Sequence, residues 1–96
     1  MRRIGNELHV VKYDDPSHGW LAVKTEYVIL SNISVSTYSY QRGRTSYLEG
    51  DRDAPNWINA MEKRGFVVFI DHRHTDRNSP IRSYDSYRSL ASCNAL

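Results

Sequence analysis

The chain has 96 residues, 40% of them apolar, 11% aromatic and 25% charged, with a formal net charge of +2. It is too short for a second hydrophobic core and too apolar for a disordered segment, so one domain over residues 1–96 is expected, with residues 1–6 and 89–96 flexible. The single cysteine, Cys93, excludes an intrachain disulfide and a cysteine-rich metal centre, which fits a reducing, cytoplasmic setting.

Arg2 and Arg3 open the chain, but Glu7, His9 and Lys12 interrupt the hydrophobic residues behind them, so no secretion signal is expected. The apolar stretches at residues 27–30 and 66–70 fall far short of the roughly 18 residues that span a bilayer, and no membrane partner is expected. Charge is uneven: residues 1–71 balance, and the surplus comes from Arg73, Arg77, Arg82 and Arg88 against Asp76 and Asp85. Ten arginines against three lysines favour planar hydrogen bonding and stacking.

Residues 7–13, β-branched and aromatic, predict a first strand that stops at the turn residues Asp14-Asp15-Pro16-Ser17-His18-Gly19. Trp20-Leu21-Ala22-Val23 resumes as a second strand, with Trp20 expected in the core. Thr25 and Glu26 open a short helix to about Leu30, ended by Ser31-Asn32. Residues 35–40 alternate as a strand, residues 41–44 turn, and residues 45–49 return, which predicts a hairpin.

Asp51 or Asp53 caps the entry to a longer helix over residues 54–64, with Pro55 tolerated in its first turn. Its stripe of Ala54, Trp57, Ile58 and Met61 faces the core, and Gly65 supplies the left-handed cap. The apolar run Phe66-Val67-Val68-Phe69-Ile70 predicts a central strand covered on both faces and continuing toward solvent as Asp71-His72-Arg73-His74. Asn78-Ser79-Pro80 is a turn, and residues 81–87 pair briefly at a sheet edge. The sum is an α+β fold: a small antiparallel or mixed sheet of four to five strands, with one long and one short helix on one face.

Chemistry concentrates in two places. His72 and His74 lie two apart on a strand and so share a face, as metal ligands or an acid and base pair would, and arginines nearby suit a small ribonuclease. No third or fourth ligand has diagnostic spacing, no phosphate loop, nucleophile elbow or paired cysteines are present, and neither metal nor cofactor is expected. Tyrosine and arginine mingle at Tyr38, Tyr40, Arg42 and Arg44, and again at Arg82 and Tyr84. With His72, Arg73, His74 and Arg77 these form the expected binding residues. Aromatics and arginines serve single-stranded nucleic acid and protein interfaces alike; the mild charge and the interspersed acids favour protein.

His18-Gly19-Trp20-Leu21, Tyr38-Ser39-Tyr40, Tyr47-Leu48-Glu49, Asp53-Ala54 and Ile81-Arg82-Ser83-Tyr84 together resemble a family of short, uncharacterised proteins of bacterial, plasmid and phage genomes. In relatives a second acid follows Tyr-Leu-Glu; here Gly50 does, and then Asp51. The resemblance implies a phage or mobile-element context, where small proteins act by binding and inhibiting a host protein, including defence and nucleic-acid-processing factors. The expectation is therefore a non-enzymatic module that binds a host protein, either as a monomer or as a homodimer. RNA or single-stranded DNA binding, and a histidine-dependent ribonuclease, are the alternatives.

Overall fold

The computed structural model describes residues 1–88. Seven strands and two helices follow one another: β1 (Arg2–Ile4), β2 (Glu7–Asp14), β3 (Gly19–Lys24), α1 (Thr25–Ser31), β4 (Tyr40–Arg42), β5 (Thr45–Glu49), α2 (Asp53–Lys63), β6 (Val67–His74) and β7 (Asp85–Ser86). They build one sheet in the order β6-β2-β3-β5-β4-β7. The short β1 lies beside the first half of β2, on the same side as β3, which pairs with the second half. All pairs are antiparallel except β2 with β6. The α+β class is as expected and the sheet is mixed, but its seven strands exceed the expected four to five.

Period-two alternation decides what is buried. Leu8 and Val10 on β2, Leu21 and Val23 on β3, and Leu48 on β5 turn to one face, where Leu21 sits directly opposite Leu48. Both helices cover that face: Val28 of α1 and Ala54, Trp57 and Met61 of α2 complete the core. The Trp57 indole N–H donates to the Tyr27 carbonyl at 3.1 Å, which ties the helices together and satisfies a polar group in an apolar layer. Gly65 ends α2 with φ of 92°, a conformation that suits a residue without a Cβ.

Four expectations are corrected, the strand count first. Residues 1–6 contain β1, which pairs with β2, and the Arg3 guanidinium lies 4.9 Å from the Phe66 ring centroid. Residues 35–39 form no strand, and β4 starts only at Tyr40. Their donors go elsewhere, since Asp53 Oδ2 accepts the Ser36 amide and the Ser36 and Ser39 hydroxyls, a local alternative to a ladder. Asp53 is thus a buried hub, and neither it nor Asp51 caps α2; instead the Glu49 carboxylate accepts the amides of Asp51 and Arg52.

The fourth correction concerns β6. It is an edge strand, not a central one, and Val67, Phe69 and Ile70 are 45%, 45% and 38% exposed. The other side of its partner β2 is occupied by β1 and β3, and the core claims Val68 while His9 stacks at 4.9 Å on Phe69 of the uncovered face. Residues 89–96, expected to be flexible, lie outside the described residues, as does Cys93. Among the described residues no helix is long and apolar enough to cross a membrane.

Trp57, fully buried, fills the joint between the helices and the sheet. Trp57→Ala should lower the unfolding free energy by about 3–5 kcal/mol, read from urea denaturation followed by far-UV circular dichroism.

Candidate functional site

The helix-free face of the sheet carries the opposite parity: Tyr13, Trp20, Ala22, Tyr40, Arg42 and Tyr47 project there. The segment after β6 folds back over part of it through a single 3₁₀ turn, Pro80–Ser83, which buries Ile81.

A buried ion pair fastens the start of that segment, and the β7 to β4 pairing fastens its end. Asp15, 5% exposed in the turn between β2 and β3, receives Arg82 through two nitrogens, Nε to Oδ2 at 2.6 Å and Nη2 to Oδ1 at 2.9 Å. The amides of Ser17 and His18 donate to Oδ1, and the amide of Ser79 donates to Oδ2 at 3.0 Å. Arg82 also reaches the Ser17 hydroxyl at 2.6 Å, and its guanidinium lies 5.5 Å from the Trp20 ring centroid. Arg82 holds the Asp15 carboxyl far below the usual carboxylate range; burial opposes this, and the three amides assist it. The same contact with Asp15 pushes the Arg82 guanidinium up.

Between the pinned segment and the sheet lies a cleft of about 310 Å³, whose walls include Tyr13, Tyr47, Tyr84, Arg73, His74 and Ile81. The Tyr47 and Tyr84 rings are 5.1 Å apart, and the Arg42 guanidinium covers Tyr84 at 5.0 Å. Burial pushes the Tyr47 hydroxyl up, with Tyr84 and Tyr13 adding to it and Arg42 opposing. Tyr47 therefore stays a neutral hydroxyl, able to donate and accept, beside a fixed guanidinium.

Arg73, His74 and Tyr84, expected from sequence, line this cleft, and Arg42 stacks on its wall. Arg82 instead supports it from behind, with Nε and Nη2 engaged by Asp15 and Ser17. Tyr40 is half-buried, edge-on to Trp20 at 6.1 Å, while Tyr38 is 73% exposed in the preceding loop. Arg44 lines a separate hollow with Lys24, Glu26 and Ile29, and Arg77 is exposed beyond β6.

His72 and His74 each meet a different carboxylate, Asp14 at 3.7 Å and Asp76 at 3.2 Å, and do not converge on a common point. Among the described residues no three of His, Cys, Asp or Glu are grouped to hold a metal ion. Three residues of the site were not expected from sequence. Tyr13 and Tyr47 could have been found by parity, being out of phase with the core residues Val10 and Leu48. Asp15 carried only a turn signal. No family model, curated protein or solved structure matches this chain, so the site rests on its own residues.

A carboxyl whose folded pKa lies below its unfolded value stabilises the fold above the unfolded value, and that stability drains away as pH falls through it. The urea midpoint should therefore fall as pH drops below about 5. Asp15→Asn should lower the midpoint at neutral pH and flatten that acid slope, which paired denaturation series at several pH values would measure.

Proposed function

We propose that this chain is a small non-enzymatic binding module, whose tyrosine cleft engages an apolar, acidic segment of a host protein and modulates that protein. The observation that carries this reading is the cleft itself: tyrosines Tyr13, Tyr47 and Tyr84 with the guanidiniums of Arg42 and Arg73, set on strands and on a segment pinned by a buried ion pair. Tyrosine provides large contact area at low entropic cost and arginine provides directed donors, and both are enriched among the residues that dominate interface energetics. Rigid support lowers that ordering cost further. Arg73 carries only an exposed contact to Asp71 at 3.0 Å, and such a pair yields readily to an incoming carboxylate. The mobile-element context implied by the family resemblance supports a host protein as the partner.

Affinity capture from a bacterial lysate tests it. The wild-type protein should retain a partner that Arg42→Glu and Tyr84→Ala variants, folded by circular dichroism, bind at least about tenfold more weakly, a loss of about 1.4 kcal/mol. Retention unaffected by both variants contradicts the reading. So does a dominant affinity for RNA or single-stranded DNA whose logarithm falls linearly with the logarithm of salt concentration.

A further inference from the structure

One edge of the sheet ends in the two-residue β7, the other in the eight-residue β6. The Val67 and Thr75 amides donate to the carbonyls of Asn6 and Asp14, both at 2.9 Å, so odd-numbered amides of this strand face β2. By alternation the amides and carbonyls of Val68, Ile70, His72 and His74 point away from β2. Among the described residues no strand pairs with them. Soluble proteins blunt such edges with charged side chains, proline or a bulge. β6 has charges only in its second half, at Asp71 and Arg73, which pair with each other at 3.0 Å; it has no proline or bulge, its register with β2 runs unbroken from Val67 to His74, and three apolar side chains are exposed.

We propose that β6 pairs antiparallel with β6 of a second copy, about a two-fold axis at Ile70, so that one sheet runs through the dimer. A two-fold perpendicular to an antiparallel pair falls on a residue, and pairing over nearly the whole strand leaves Ile70 or Asp71 as its centre. Centring on Asp71 sets two carboxylates directly opposite, which is repulsive. Centring on Ile70 sets Ile70 against itself, Val68 against His72, Phe69 against Asp71 and Val67 against Arg73. Ile70 has outward-facing backbone groups, so the central pair and its two flanking pairs supply about six hydrogen bonds. Phe69 lies diagonal to its symmetry mate, within reach of an aromatic side chain, and also diagonal to Arg73 of the second copy. Each of the three exposed apolar residues of the strand then gains a cross-strand neighbour.

Residues 89–96 are a poor occupant for this edge. They follow Arg88, whose amide donates to the Gln41 side chain at the opposite side of the sheet. Five strand spacings, about 24 Å, separate that side from β6, and eight residues extend at most about 28 Å, which leaves no length to pair. A single strand pair is a small interface, so the dimer belongs to the weak, concentration-dependent class.

Sedimentation velocity on the wild-type protein, from micromolar to about 1 mM, should show the mass rising from 11.2 kDa toward twice that value. Ile70→Lys should hold it at the monomer throughout. In a Cys93→Ser background, a cysteine placed at 70 should form an intermolecular disulfide about tenfold faster than one at 67 or 74, because directly opposed hydrogen-bonded residues have Cα atoms about 5.5 Å apart. A wild-type protein that stays monomeric, self-association that survives Ile70→Lys in a folded variant, or crosslinking that peaks at another position would each overturn the proposal. Should Ile70→Lys fail to fold, the cysteine series decides by itself.

Discussion

The buried contact between Asp15 and Arg82 is the constraint on which the open face of the sheet depends. Burying a carboxylate to 5% exposure is costly unless its acceptors are filled, and here two guanidinium nitrogens and three backbone amides fill them. Those donors come from both sides of a 67-residue separation, so the ion pair closes the β2 to β3 turn and fastens the segment after β6 in one step. With one partner removed, the other becomes an uncompensated charge in a poorly solvated place. Ile81 and Tyr84 then lose their anchor, and with them goes the outer wall of the cleft. The ion pair thus positions the cleft's outer wall together with the β4 to β7 pairing further along the same segment.

The two faces of the sheet are held by different physics. The helix side is a conventional apolar layer, in which Trp57 and Met61 pack on Leu8, Val10 and Leu21. The open side buries Trp20 beneath Arg82, Tyr40 and His18, so aromatic rings and a guanidinium do the work of a second helix layer. That cover is partial. It stops at Tyr13 and Tyr47, where the cleft opens, and does not reach Phe69, on which His9 stacks.

What the sequence made legible follows the range of the interactions. The α2 stripe, the Gly65 cap and the returning strand 45–49 are set by neighbours a few residues apart, and each reads directly from spacing. The alternation of residues 35–40 is equally regular, yet the Asp53 carboxylate, 14 to 17 residues onward, takes the hydrogen-bonding groups of Ser36 and Ser39. An apolar run such as residues 66–70 signals a strand but not its neighbours, and among the described residues β6 has one, from residues some 60 positions earlier. Arg42, Arg73, His74 and Tyr84 were legible as chemistry. Their gathering with Tyr13 and Tyr47 was not, because it depends on the register across β2, β3 and β5 and on the distant Asp15.

Strand β6 links the cleft to the sheet edge. Arg73 and His74 line the cleft, and the same strand carries the outward backbone groups of Ile70 and His72, which meet no strand among the described residues. A two-fold axis perpendicular to a sheet exchanges strands without exchanging faces, so pairing at β6 sets both clefts on the same side of a continuous sheet. Two clefts on one side can engage a two-fold symmetric target together, the second contact forming at the high effective concentration set by the first. In the proposed dimer a weak edge pairing and a modest cleft would reinforce each other, since each bivalent contact would also hold the two β6 strands side by side. On that proposal, assembly on the target offsets the small size that limits what one copy of this domain can bury.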